Sequence, residues 1–299
     1  MDVSDKHYRS MLFVPGDSER KIEKSFGVGA DALIFDLEDA VMPARRPEAR
    51  ALVRSTLDRT RGQPGSHRWV RVNPIDSGIA LDDLAAVVGG APEGIIQPKI
   101  HSADCVNRLG HYLDALEARE GLPHGTVSII AVATEVPDVM FQLGTLKQAT
   151  DRLIAINWGG EDLSAAIGAS TNKTADGDWR DVYKLARSLC LLAARGADIQ
   201  PMDTVHTDIR DEAGLRAACI EARRDGFTGK IAIHPNQVAP INESFAPSPE
   251  EVEHAKRVMA AFEAAGGAGA VQLDGEMLDM PHIKQAETVL AQAKRYATS

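Results

Sequence analysis

Several short apolar runs in this chain end in ionisable side chains, and those ends are where chemistry could be done. The run Ala32–Asp36 leads into Asp36, Glu38 and Asp39, RVNP supplies Arg71, and QPKI supplies Lys99. Further on, TEVP supplies Glu135 and GGEDLS supplies Gly159, Gly160, Glu161 and Asp162, while Asp203 and His234 end two later runs. Charged side chains avoid buried positions unless they are paired or bind a metal, so a convergent set reads as a polar site. Glu135 and Asp162 form the best pair of metal ligands. Two carboxylates can share one hard cation and leave coordination positions for substrate oxygens, an arrangement that suits Mg2+. No His or Cys cluster has zinc spacing, and His206 and His234 read as structural.

Arg71 alternates with Val70 and Val72, so in a strand its side chain points the other way from theirs. An inward guanidinium can grip a carboxylate or carbonyl oxygen through two parallel hydrogen bonds. The competing reading is a framework salt bridge to Asp36 or Glu38. The Gly159-Gly160 pair follows a strand and precedes a helix start, so its exposed N–H groups can face an oxyanion or a carboxylate.

These residues need elements that bring them together. Short β-branched runs alternate with helical stretches, the signature of a parallel sheet with helical crossovers. Eight strands are predicted: Ser10–Val14, Ala32–Asp36, Trp69–Val72, Gly94–Pro98, Ser128–Ala133, Leu153–Asn157, Gln200–Asp203 and Lys230–Ile233. The expected fold is an α/β (β/α)8 barrel over residues 1–265, whose strand ends share one mouth. Ala103–Glu120 carries Val106, Leu109, Leu113 and Leu116 along one face. Trp179–Gly196 carries Val182, Leu185, Ala186, Leu189 and Leu192 and reads as another barrel helix, with Gly196 placed for a left-handed cap. Pro249–Ala265 reads as the last barrel helix.

With 299 residues, 44% apolar and 25% charged, the chain can bury a full core, and its net charge of −10 argues against a nucleic-acid surface. Three widely spaced cysteines suggest neither a disulfide framework nor a zinc knuckle. A polar stretch from Met1 to Lys6 and no run approaching the ~18 apolar residues of a membrane helix point to a cytoplasmic protein with no membrane partner. The Gly/Ala run around Gly266–Gly269 reads as a hinge, and residues 266–299 as a C-terminal helical lid with an amphipathic helix from Pro281. Asp279, between Leu278 and Met280, could sit in a partly dry setting suited to proton transfer, or could cap that helix.

Taken in order, RSMLFVPG, GADALIFDLEDAV, RVNP, QPKI, TEVP, GGEDLS, the DGF, TGK and IAIHPNQV segments, and GEMLDMP span nearly the whole chain. This set resembles the family of citrate lyase β-subunits, malyl-CoA lyases and citramalyl-CoA lyases. The resemblance implies a homotrimer, or a multiple of it, with Mg2+ on Glu135 and Asp162. It further implies Asp36, Glu38 and Asp39 around the metal waters, Arg71 and Lys99 on the substrate, and Arg9, Phe13 and Pro15 beside the thioester. Lys21 and Lys24 would lie near coenzyme A, and Asp279 of a neighbouring subunit would move the α-carbon proton. Val136 replaces the family's usual Thr, and the residues after Lys99 also depart from its pattern.

The activity so implied is Mg2+-dependent cleavage or formation of 3-hydroxyacyl-CoA thioesters such as malyl-CoA or citramalyl-CoA. The partners would be acetyl-CoA or propionyl-CoA and a 2-oxo acid such as glyoxylate or pyruvate. Alternatives are a malate or citramalate synthase that also hydrolyses the thioester, a citrate lyase β-subunit acting on an acyl-carrier-protein thioester, and a noncatalytic CoA-binding protein.

Overall fold

The computed structural model describes residues 7–266 and 269–296. Met1 to Lys6 and the middle of the expected hinge, Gly267 and Ala268, lie outside the described residues. The chain divides into two compact units, Met1–Asn242 and Glu243–Ser299.

The first unit is a closed barrel of eight parallel strands in chain order: β1 (Ser10–Pro15), β2 (Ala32–Asp36), β3 (His67–Arg71), β4 (Gly94–Gln97), β5 (Ser128–Val132), β6 (Leu153–Asn157), β7 (Gln200–Asp203) and β8 (Gly229–Ala232). β8 returns to pair with β1, so the sheet has no free edge. Alternate residues fill the interior: Met11 and Phe13, Ala32 and Ile34, Trp69, Ile96, Ile130 and Val132, Met202 and Ile231. The same alternation carries Asp36 and Arg71, two residues beyond Ile34 and Trp69, to the C-terminal mouth. Gly94 faces Trp69, whose ring leaves no room for a methyl group there.

Helices α1 (Glu19–Ser25), α2 (Arg46–Thr60), α3 (Ala80–Val87), α4 (Ala103–Glu120), α5 (Gly160–Ala166), α6 (Asp181–Gly196), α7 (Glu212–Asp225) and α8 (Val238–Phe245) follow the strands. After β5 the crossover is instead two 3-10 segments, Pro137–Phe141 and Leu143–Gln148. α4 begins on the Ser102 hydroxyl, which accepts from the Asp104 amide, and ends at left-handed Gly121.

The expected stripe on α6 is only half right. Tyr183, Ala186, Cys190 and Ala194 are its buried face, whereas Val182, Leu185 and Leu192 are exposed. Smaller residues bring the helix close to the barrel and turn the leucines outward. The left-handed residue beyond it is Asp198, not Gly196.

The second unit begins earlier than the expected boundary at residue 265. α9 (Pro249–Ala264) packs with α10 (Met280–Tyr296) and is not a barrel helix. Ala255, Val258, Phe262, Leu278 and Ala286 form a core of their own. Between these helices lies an unforeseen antiparallel hairpin, β9 (Ala270–Leu273) and β10 (Glu276–Asp279). Its turn places Asp274 at φ 52 and Gly275 at φ 88, which matches the right-handed twist of a two-residue hairpin loop.

Candidate active site

At the end of β3, the Arg71 Nε and a terminal nitrogen donate to the two Asp36 oxygens at 2.7 Å each. The other terminal nitrogen is 3.1 Å from Glu38 Oε2, and the guanidinium lies 4.4 Å from the centre of the Phe13 ring. The Asp36 oxygens also accept from the Glu38 and Ala40 amides at 3.0 and 3.2 Å, which locks the acceptor in place. Although burial opposes its charge, the hydrogen bonds and charges of Asp36 and Glu38 hold Arg71 firmly protonated.

Lys99 joins this group to its neighbours. Its Nζ donates to Glu38 Oε1 at 2.6 Å and lies 3.4 Å from Asp39 and 3.7 Å from Asp162. Its backbone, at φ 52, aims the amide N–H at Glu135 Oε2, 2.5 Å away. Burial raises the Glu38 carboxyl above its usual range despite the two cations beside it.

Glu135 is buried, and burial together with the Asp162 and Glu38 charges pushes its carboxyl up to about 8. The loop after β6 approaches it closely. The Gly159 amide donates to Thr134 Oγ1 at 2.9 Å, and a Cβ at Gly159 would come within 2.9 Å of Glu135 Cγ. Glu161 and Asp162 then occupy the first turn of α5. Beneath the loop, Trp158 Nε1 donates to Asp203 Oδ1 at 2.7 Å, and Lys230 Nζ donates to Asp203 Oδ2 at 2.5 Å.

The family model described as HpcH/HpaI aldolase/citrate lyase matches residues 9–235, which takes in every residue of this mouth. The chain belongs to that family. A (3S)-malyl-CoA thioesterase of Cereibacter sphaeroides is 37% identical over 97% of this chain and 96% of its own length. The citrate lyase subunit beta of Escherichia coli is 36% identical over 96% of this chain and 93% of its own. Among solved structures, CitE of Mycobacterium tuberculosis in complex with magnesium, acetoacetate and coenzyme A is 33% identical with a TM-score of 0.79, covering 97% of this chain and 99% of that one.

Within this HpcH/HpaI-family barrel, Asp36, Glu38, Asp39, Arg71, Lys99, Glu135 and Asp162 come together as expected from sequence. Phe13 lies under Arg71, Pro15 ends β1, and Lys21 and Lys24 stand exposed on α1. Arg9 does not join them. It precedes β1 at the opposite rim of the barrel, where its Nε and a terminal nitrogen donate to Asp31 at 3.0 and 2.7 Å. Being next to a strand's first residue is what moves it away from the mouth. Asp279 ends β10 in the second unit, exposed rather than partly dry, with its Oδ1 2.7 Å from His282 Nδ1.

His234 keeps the structural role expected of it, its Nδ1 accepting from the Asn236 amide. Sequence reasoning missed Thr134 and Lys230 as site residues. A lysine inside a buried strand was the available signal for the second. Trp179 packs on Gly160 through a loop closure with no local signature.

The donor set fits magnesium. Glu135 receives one hydrogen bond, to Oε2, which leaves Oε1 without a donor among the described residues. A buried carboxylate with a second carboxylate close by is relieved by a divalent cation between them. Among the described residues no three His, Cys, Asp or Glu side chains form a ready metal cage.

Proposed function

We propose that this protein is a Mg2+-dependent carbon–carbon lyase. It splits a 3-hydroxyacyl-CoA thioester such as malyl-CoA or citramalyl-CoA into acetyl-CoA or propionyl-CoA and a 2-oxo acid, and it condenses them in reverse. The observation that carries this reading is the Glu135–Asp162 carboxylate pair set beside Lys99 and the anchored Arg71. Magnesium held by Glu135 and Asp162 would supply Lewis-acid polarisation of the oxygen that changes between hydroxyl and carbonyl.

The chain's own groups supply the rest. Arg71, held by Asp36 and stacked on Phe13, keeps N–H bonds on its terminal nitrogens for a substrate oxygen. Asp39 and Glu38 orient water around the metal ligands, and Lys99 balances the acids and meets the substrate carboxylate. Gly159, Gly160 and Glu161 wall the oxo-acid fragment, Phe13 and Pro15 flank the thioester, and Lys21 and Lys24 face the coenzyme A phosphates. As the bond breaks, electrons pass to the thioester enolate, which takes a proton at its α-carbon. Asp279 of a neighbouring copy moves that proton, with residues 266–299 serving as a lid segment in a cytoplasmic homotrimer. The three free, buried cysteines agree with a reducing compartment.

Incubation with Mg2+ and malyl-, citramalyl-, methylmalyl- or citryl-CoA, with products identified by mass spectrometry, tests the reading. No cleavage of any of the four would reject it. The thioesterase relative favours a second reading in which hydrolysis follows condensation. Release of free coenzyme A during condensation marks that one.

A further inference from the structure

The loop from Thr171 to Arg180 folds back on itself beside the mouth. Lys173 and Trp179 form an antiparallel bridge, the Thr174 amide donates to the Asp178 carbonyl at 2.8 Å, and the Arg180 amide donates to the Asn172 carbonyl at 3.1 Å. Gly177 turns the loop with φ 87. This closure sets the Lys173 ammonium 3.6 Å from the centre of the Trp179 ring. Trp179 lies edge-on to Trp158, ring centres 4.9 Å apart, and abuts Gly160, where a Cβ would come within 2.8 Å of the ring. One aromatic side chain therefore links Lys173 to the loop that carries Asp162.

Charge pairing separates Lys173 from the other mouth cations. Arg71 is paired with Asp36 and Glu38, Lys99 with Glu38 and Asp39, and Lys230 with Asp203, although Arg71 and Lys99 keep further N–H bonds for substrate. Among the described residues Lys173 has no carboxylate within ion-pair distance. Its close partner is a π face, which leaves the ammonium N–H bonds open. Lys173 is half-buried, and the charges of Glu161, Lys230, Asp178 and Asp203 reach it at longer range. An ordered, unpaired cation there is placed to meet an anion on the substrate.

We propose that Lys173 is a specificity-determining residue that binds the second carboxylate of a 2-oxo dicarboxylic acid, the fragment released from or condensed with the thioester. The assignment rests on the lyase reading above and selects citryl-CoA from the four thioesters named there, since the other three release monocarboxylic oxo acids. Glu161 and Asp203 nearby oppose a doubly charged phosphate more strongly than a singly charged carboxylate. The exposed lysines available to coenzyme A lie on α1, after β1, whereas Lys173 lies after β6, on the metal-ligand side of the barrel.

The test is calorimetric titration of the full chain in Mg2+ with oxaloacetate, with pyruvate as the monocarboxylate control and coenzyme A as a third ligand. Lys173→Met should weaken oxaloacetate about 10- to 100-fold, the worth of one charge-assisted hydrogen bond, while pyruvate binding holds. Lys173→Glu should weaken oxaloacetate further, and Lys173→Arg should retain most of the affinity. An unchanged oxaloacetate affinity, an equal loss for both acids, or a loss confined to coenzyme A would overturn the proposal. Failure of the unmodified protein to bind either acid with Mg2+ would instead overturn the lyase reading and this inference with it.

Discussion

The Gly159 amide donates to the Thr134 hydroxyl at 2.9 Å, and this bond ties the segment that leads into Glu135 to the loop that leads into Asp162. Two carboxylates that follow separate strands are thereby held together. Removing the hydroxyl in Thr134→Val should loosen Mg2+ about tenfold while leaving the melting temperature within a few degrees. Thr134→Ser should restore binding. Calorimetric Mg2+ affinities of the three proteins decide it, and equal values would deny the tie any role.

Removing either ligand is a harsher change. Glu135→Ala and Asp162→Ala should each abolish turnover and Mg2+ binding, because each strips an anionic donor from a small set. Full wild-type activity in excess chelator would contradict the metal assignment.

Arg71→Lys should lose about a hundredfold or more in rate. An ammonium cannot reproduce the two-bond contact with Asp36 and still present N–H bonds to substrate. A near-normal rate would reduce Arg71 to the framework pair that its contacts with Asp36 and Glu38 also describe.

At the opposite rim, Arg152 donates to both Glu117 oxygens at 2.8 and 2.7 Å and to Asp114 at 2.6 Å, and Glu117 accepts from the Gly125 and Val127 amides. Burial opposes charge on Glu117, but Arg152 and those amides prevail and hold the carboxyl below its usual range. A carboxylate with a depressed folded-state pKa contributes stability that is present above its unfolded value of about 4.3 and is lost as pH falls through the folded one. Arg152→Met should therefore cost about 3–5 kcal/mol at neutral pH and flatten the acid limb of the stability curve below about pH 4. Denaturant melts across pH measure both.

Asp279→Ala should slow turnover about a hundredfold with the fold intact if the carboxylate moves a proton. A helix-capping role would instead cost about 1 kcal/mol and little rate. Mixed oligomers of Asp279→Ala and Arg71→Ala subunits should regain activity. No recovery would remove the shared-site assignment.

The barrel was legible because its strands are β-branched runs at regular intervals, and the candidate site because Asp36 and Arg71 end two of those runs while Glu135 and Asp162 follow two others. What failed to show has physical reasons. Arg9 stands beside a strand motif, but on the side where the strand begins. The leucines of α6 satisfy a helical period without being the face that packs, since Ala186, Cys190 and Ala194 allow a closer approach. Asp274-Gly275 is a pair that suits a hairpin turn, but the strands around it are short and largely exposed and carry a weak pattern. Lys173 and Trp179 meet through a loop closure that no spacing records.

Lys99 holds a left-handed backbone, at φ 52, while its amide serves Glu135 and its ammonium serves Glu38. That conformation costs a residue with a side chain about 1 kcal/mol, a penalty glycine escapes. Glycine at this position would relieve that strain but leave the buried Glu38 carboxylate without its ammonium partner, a larger loss, so stability and turnover both keep the lysine. Homologues from hot and temperate habitats should divide here only where another cation has taken over the ammonium's place, so adaptation to temperature at residue 99 is bound to a second, compensating change in the mouth.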